Sequence, residues 1–389
     1  MLKKIEKKYN EIFDNLKSLN EYLYNNPEIG REEIKASKAH MEILNKNGFQ
    51  VQKEYINIKT AYRADYKGLK KGPKICFMAE YDALPEIGHG CGHNILGVTS
   101  VGAGIILKKL IDIYGGSVVV LGTPAEENFG AKVDMAKAGV FDDIDVAIIS
   151  HPTGRCHKKS SSSQAIEALE FKFIGKSAHA AGDPYNGINA LDAVIQLFNG
   201  VNCLRQQTKS TSKIHGIISK GGEAANVIPD LGVANFYVRE KTTKEMKSLS
   251  EKVKNCAKGA AIATGCLLEI KNYEYTFKHL ITNESLSNIY SENLIKLGVE
   301  KIEISGSDGS TDAGDVSHVC PTIHSYFPIS DKELVGHSLE FAQATITKEA
   351  YRGMKEAMFA MVLTGIDLIT KKDLFQKVKE EFNEMKKNN

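Results

Sequence analysis

The sequence has almost no charge of one sign in excess, no secretory leader pattern, no disulfide framework and no internal repeat. Its 389 residues carry 50 Lys+Arg against 48 Asp+Glu, a formal net charge of +2. So small a balance gives no reason to expect nucleic acid or a membrane surface as a partner. No apolar run is expected to reach the length of a bilayer span. The start, Met1-Leu2-Lys3-Lys4-Ile5-Glu6-Lys7-Lys8, has charges but no apolar segment and cleavage site after them, so no signal peptide is expected. Cysteines number seven, an odd count scattered through a large chain, which fits a reducing cytoplasm better than paired disulfides. What is present is ordinary globular composition, 42% hydrophobic and 25% charged, in a chain long enough for two domains.

The most concentrated chemistry lies at residues 79–94, A-E-Y-D-A-L-P-E-I-G-H-G-C-G-H-N, at the end of the apolar run 75–79. Gly88, Gly90 and Gly92 alternate with His89, Cys91 and His93, and so glycine-rich a backbone can turn alternate side chains towards one point. Short Cys/His spacings suit zinc-like ions, because thiolate and neutral imidazole are good donors to them. A surface loop with a free cysteine is the plainer reading of the same residues.

Periodicity predicts helices over 4–25, 31–47, 96–113 and 132–138, with strands over 49–58, 63–66, 117–122 and 145–150 and another opened by Pro73. Strand–loop–helix repetition with polar residues at the strand C-termini is the plan of an α/β fold. The serines 160–163 read as a hinge, or as an ordered loop. After them come strand 168–174, helix 190–206, strands 213–219 and 232–239, helix 244–264 and strand 266–273, the order of a ferredoxin-like α+β domain. A helix over 280–299, strands at 301–304 and 322–327 and a helix over 345–369 follow, before a charged tail expected to be solvated. The expected architecture is an α/β domain, 1–165 and 279–389, interrupted by an inserted α+β domain, 166–278.

Other candidates lie at strand ends. Glu126-Glu127 follow the strand 117–122, and adjacent carboxylates point in different directions, so one can bind a metal while the other moves a proton. The pair also reads as an acidic helix N-terminus. His151 closes a buried strand in S-H-P, and His337 precedes the last helix; taken singly, each reads as structural. The stretch 306–318, G-S-D-G-S-T-D-A-G-D-V-S-H, can cradle an anionic substrate end with its hydroxyls and amides, or form a long turn. His318 and His324 are read as structural or supporting.

The ordered motifs A-E-Y-D-A-L-P…H-G-C-G-H-N, P-A-E-E-N…G-A, S-H-P, G-K-S-A-H-A-A…P-Y-N-G-I-N-A-L, A-A-N-V-I-P-D, G-S-T-D-A-G-D-V-S-H-V-C-P-T-I-H and G-H-S-L-E-F resemble the aminoacylase–carboxypeptidase family of co-catalytic metallopeptidases. Within it they are most similar to the amidohydrolase branch that includes aminobenzoyl-glutamate hydrolases and aminoacylase-like dipeptidases, over about residues 19–369. The resemblance implies a metallopeptidase catalytic domain with a central, mostly parallel sheet, interrupted by a lid and dimerisation domain. It makes Cys91, His93, Glu127, His151 and His337 ligands of two divalent ions, zinc or manganese. Cys91 contacts both. It makes Glu126 the general base and Asp82 the residue that orients a ligand. Glu80 stands where other branches have a histidine ligand, and its role is open. His179, in S-A-H-A, matches a histidine that reaches the partner subunit's site to stabilise an oxyanion. Asn226 and Arg239 match residues that meet the substrate carboxylate; without the resemblance, Arg239 reads as an ordinary exposed strand residue. The implied function is hydrolysis of a small N-acyl amino acid, a dipeptide or an aminobenzoyl-glutamate-type amide by a cytoplasmic homodimer, with no nucleic-acid or membrane partner. Two other readings stand beside it: a non-catalytic metal-binding or regulatory protein that retains the fold, and a redox or nucleophilic thiol at Cys91.

Overall fold

A computed structural model describes every residue except Ser305, Ser307, Asp308 and Asn389. In chain order, helices α1 (Leu2–Asn25) and α2 (Ile34–Lys46) precede strands β1 (Gln50–Lys53), β2 (Tyr62–Lys67) and β3 (Lys74–Ala79). Then come α3 (His93–Tyr114), β4 (Ser117–Gly122), α4 (Ala131–Lys137), β5 (Val146–Thr153) and β6 (His157–Lys159). A second group follows: β7 (Ala165–Ile174), α5 (Ala190–Leu204), β8 (Lys213–Lys220), β9 (Leu231–Glu240), α6 (Thr243–Thr264) and β10 (Leu267–Asn272). The chain closes with α7 (Glu284–Lys296), β11 (Ile302–Ile304), α8 (Ala313–Ser317), β12 (Thr322–Pro328), α9 (Leu339–Ala344), α10 (Lys348–Thr370) and α11 (Lys372–Asn388).

The unalternated apolar runs of β3, β4 and β5 are buried on both faces, as strands covered by helices must be. They lie at the centre of an eight-stranded sheet of order β1-β2-β4-β3-β5-β12-β6-β11. The run β4-β3-β5-β12 is parallel, so its C-terminal ends open on one side. There the chain leaves β3 at Glu80 and β4 at Thr123, and β5 carries His151 two residues before its end at Thr153. Helix α3 covers this sheet closely: a Cβ on Gly104 would lie 2.2 Å from the Val120 Cγ2. By length and composition α3 is long and apolar enough to cross a membrane, contrary to the expectation of no such run. Since 89% of its most apolar window is buried within the protein, it is the core helix of this unit.

The chain divides into two compact units, one containing Met1–Ser162 and most of the chain from Leu280 on, the other Ser163–His279 together with Gly309 and Ser310. The second unit is an antiparallel sheet of order β10-β7-β9-β8. Strand β9 alternates buried and half-buried residues throughout, and its inward set joins Phe171, Phe173, Val194, Leu197 and Val253 beneath α5 and α6. The opposite face carries Asn235, Tyr237 and Arg239. Both helices start on side-chain caps, Asn189 for α5 and Thr242 for α6.

Three local expectations are corrected and one is refined. The predicted strand over 49–58 stops at Lys53, because Glu54, Ile56 and Asn57 take positive φ in a tight turn. Strand β5 runs beyond Ser150 through His151 and Pro152; its pairing with β3 ends at Ile148, so the proline interrupts no ladder on that side. The serine run 160–163 does hold the boundary between the two units, but its first residue, Ser160, is fixed in the first unit. It is buried, its Oγ lies 2.6 Å from the Thr282 Oγ1, and it accepts a hydrogen bond from the His324 N–H. The charged tail is helix α11, which buries Val378 and whose Glu381 carboxylate accepts the free N–H groups of Glu284 and Ser285 at the start of α7.

Candidate metal centre and active site

Three strand ends and one distant loop build the site within the first unit. From β3 the chain carries Glu80 and Asp82 inward, both essentially without exposure. It then turns through the glycine-rich loop into α3, whose first residue is His93. Gly92 precedes it at φ 74, and a Cβ there would lie 2.5 Å from the Pro152 Cγ. Only glycine fits where the loop passes the end of β5. The loop also holds the distant element: the His337 N–H donates to the Gly90 carbonyl at 3.1 Å, which brings His337, itself at φ 58, beside Cys91.

Asp82 organises the donors. Its Oδ1 lies 2.9 Å from the His93 Nδ1, and its Oδ2 accepts the Glu127 backbone N–H at 3.0 Å. One carboxylate therefore fixes an imidazole and the turn that bears the Glu126-Glu127 pair, leaving the His93 Nε2 facing the site. That turn is fixed on its other side as well, since the Ala125 N–H, at φ 62, donates to the Glu33 Oε1 at 2.7 Å. His151 is set by its own strand. Its Nδ1 lies 2.7 Å from the Pro152 carbonyl, which makes Nδ1 the donor and leaves Nε2 as the lone-pair nitrogen. Its ring stands edge-on to His93 and stacks on His324.

Cys91, His93 and His151 place one donor atom each within 4.8 Å of one another, and so do Cys91, Glu127 and His337. The two triplets share the thiol. His93 with Glu126 and Glu127 forms a further group at the same limit. The His93 Nε2 and the Glu127 Oε1 are buried with no hydrogen-bond partner, as expected of atoms that ligate a metal. Sulfur, imidazole and carboxylate around two adjoining points suit zinc-like divalent ions. The electrostatics agree with a centre built for positive charge. Burial opposes a proton on His93, yet Asp82, Glu80 and Glu127 raise it well above the usual histidine value. Burial and then the Glu80 and Glu127 carboxylates push Glu126 well above the usual carboxylate range. Burial and Glu127 drive the Cys91 thiol far up, so a reactive thiolate is not at home there without a cation.

The ligands, base and orienting residue expected in the first unit lie together here: Cys91, His93, Glu126, Glu127, His151 and His337, with Asp82 behind them. His89 points away, its Nε2 3.2 Å from the Leu23 carbonyl. Glu80 does not stand as an isolated ligand, because its Oε1 lies 2.6 Å from the Lys132 Nζ. Lys132 and Asp312 were not anticipated. The motif G-S-T-D-A-G-D offered Asp312 as a polar loop residue, but a buried lysine has no sequence signature. In the second unit, His179 and Asn226 lie together, with the Ala180 N–H donating to the Asn226 carbonyl at 3.0 Å. The His179 Nδ1 accepts the Gly182 N–H at 2.9 Å, so the ring proton sits on the exposed Nε2. Arg239 lies apart from them on β9 and donates to the Ser310 Oγ at 2.9 Å. Within the stretch 306–318, Ser307 and Asp308 lie outside the described residues.

An α/β sheet whose strand ends carry a clustered set of metal-type donors, with an α+β unit inserted, is the architecture of a metallohydrolase. Comparison with known proteins narrows this. The model described as a peptidase dimerisation domain (M20) matches residues 164–264. The chain is 34% identical to the mouse Xaa-Arg dipeptidase over 96% of its own length and 90% of that protein's. It is 26% identical to a p-aminobenzoyl-glutamate hydrolase chain of Escherichia coli (strain K12), over 93% of this chain and 91% of the other. In fold it matches a dinuclear metal binding peptidase of the M20 family from Bacillus subtilis, with a TM-score of 0.71, 19% identity and coverage of 92% and 99% of the two chains. The chain belongs to the M20 family of hydrolases acting on amide and peptide bonds.

Proposed function

We propose that this protein hydrolyses a small dipeptide or N-acyl amino acid at a two-metal centre held by Cys91, His93, Glu127, His151 and His337. The observation that carries the proposal is the pair of donor triplets joined at Cys91, with Glu126 beside both His93 and Glu127. Two divalent ions bound there supply a polarised carbonyl and a water acidic enough to attack it near neutral pH. The thiolate in the donor set favours zinc among them, with manganese the alternative.

The chain's own residues do the remaining work. Glu126 takes the proton of the attacking water and gives it to the nitrogen of the scissile bond, so the C–N bond breaks to a carboxylate and a free amine. Asp82 holds His93 and the Glu127 backbone in one geometry throughout. His179, with its proton on Nε2, is the donor assigned to the developing oxyanion, supplied across the interface of a homodimer. Support for a dimer comes from the dimerisation-domain match and from β8, a sheet-edge strand with Ile217 and Ile218 exposed. Asn226 and Arg239 are assigned to the carboxylate of the substrate. The seven free cysteines support a reducing compartment, the cytoplasm.

Dipeptides with a C-terminal arginine head the substrate list, because the mouse Xaa-Arg dipeptidase is similar over nearly its whole length. The test is to strip the protein with a chelator, restore zinc or manganese singly, and assay a panel of dipeptides, N-acyl amino acids and aminobenzoyl-glutamate. Hydrolysis that vanishes with the metal and returns with it is the expected result. A metal-replete protein inactive across the panel contradicts the proposal.

A further inference from the structure

Behind the candidate centre lies a second cluster of carboxylates. Oxygens of Glu80, Glu126 and Asp312 all lie within 4.8 Å of one another, the spacing of a cation cage. The cage is filled. Lys132, on the first turn of α4, has no exposure, and its Nζ lies 2.6 Å from the Glu80 Oε1 and 2.5 Å from the Asp312 Oδ1. Asp312 grips the same residue twice, since its Oδ2 accepts the Lys132 backbone N–H at 3.1 Å. Lysine is rarely buried so completely, because removing an ammonium from water is costly unless partners compensate. Here both partners are equally buried. Glu126 is one wall of the cage and also the residue assigned as base. Glu80 is the other link to the centre, with its Oε2 3.3 Å from the His93 Nε2.

We infer that Lys132 is a positioning residue, a resident cation that keeps metal ions out of the Glu80–Glu126–Asp312 cage. With its ammonium in place, Glu80 and Asp312 are neutralised locally, and Glu126 is left free to move a proton. With the ammonium removed, three carboxylate groups converge on a space that a divalent ion can enter, and Glu126 becomes a ligand. Asp312 anchors the lysine through both its ammonium and its backbone, so the cage closes only when α4 and the N-terminus of α8 are docked. The inference rests on the reading of Glu126 as the base.

The experiment compares wild type, Lys132→Ser and Lys132→Ser/Asp312→Asn after equilibration with manganese(II) and removal of free metal. Bound ions per chain are counted by elemental analysis, and kcat and KM are measured on the same samples. Lys132→Ser is expected to hold about one ion more than wild type. Its kcat is expected to fall by about 10²-fold or more with KM little changed, as when a general base is lost. Asp312→Asn added to it removes a wall of the cage and returns the ion count to that of wild type. An ion count in Lys132→Ser equal to wild type overturns the inference, as does an extra ion that persists in the double variant. If Lys132→Ser folds only when manganese is supplied, the cage is shown directly. If it folds under no metal condition, the lysine is a structural clamp and the inference fails. The wild-type count reports separately on the two-metal centre, so failure of that reading is seen in a different sample.

Discussion

The two units present their candidate chemistry in opposite ways. In the first, the donors other than the exposed His337 are buried or half-buried, and neighbours fix the elements that carry them: Asp82 holds His93, Pro152 holds His151, Gly90 holds the backbone of His337 and Glu33 holds the turn before Glu126. In the second, His179 and Asn226 are exposed on paired loops and are held chiefly through the backbone. A site that must hold ions at fixed distances is built into a core, where a misplaced atom clashes. Residues that meet a substrate stand at the surface, where truncation leaves the fold alone.

The contrast can be broken in order of expected effect. Glu126 belongs to the buried set functionally but is only half-buried and makes no structural hydrogen bond described for it, so Glu126→Ala separates chemistry from stability. The expected outcome is a loss of roughly 10²–10⁴ in kcat with an unchanged melting temperature, read by steady-state kinetics and calorimetry. His179→Ala is expected to lower kcat by about 10²-fold, again at constant stability, as for loss of one oxyanion donor. Mixing it with Glu126→Ala chains after subunit exchange should restore part of the activity if the histidine acts across a dimer. Asp82→Ala lies at the other pole. It strips the partner from a buried imidazole and a backbone N–H at once, so a stability loss of about 3 kcal/mol is expected, with metal affinity weakened ~10–100-fold, measured by denaturation and chelator competition.

The smallest effect lies on the surface of the first unit. Asp143 is half-exposed, and although burial opposes its charge, hydrogen bonds from Arg63 and Lys74 hold its carboxyl below the usual value of 3.8. A carboxylate whose pKa is lower in the folded state adds stability above its unfolded pKa and loses it as pH falls through the folded one. Asp143→Asn should therefore soften the drop in stability below pH ~4 and cost little at neutral pH, checked by urea midpoints across that range.

How much of this was legible in the sequence follows the same division. The central strands could be read because S-V-V-V-L-G and D-V-A-I-I-S are apolar without alternation, which only a doubly covered strand tolerates. The ligand positions could be read because glycine spacing and strand ends confine where such side chains can point. His89 and His93 alternate with the same glycines, and their partners separate them: the Leu23 carbonyl takes the His89 ring, and Asp82 takes the His93 ring. Lys132 was illegible because nothing local distinguishes a buried lysine from an exposed one; its partners are 52 and 180 residues away in the chain. The tail was misread for a related reason. Its charges are real, but one apolar stripe ending in Val378 is enough to dock a helix when an acceptor such as Glu381 also caps α7.

The most direct measurement is the number of divalent ions bound to Cys91→Ala beside wild type, after equilibration with zinc or manganese and removal of the free metal. If the thiolate joins both donor triplets, wild type holds about two ions per chain and the substitution weakens both together, leaving neither at full occupancy. A Cys91→Ala protein that retains two ions, or that loses one while the other stays as tight as before, contradicts a shared centre.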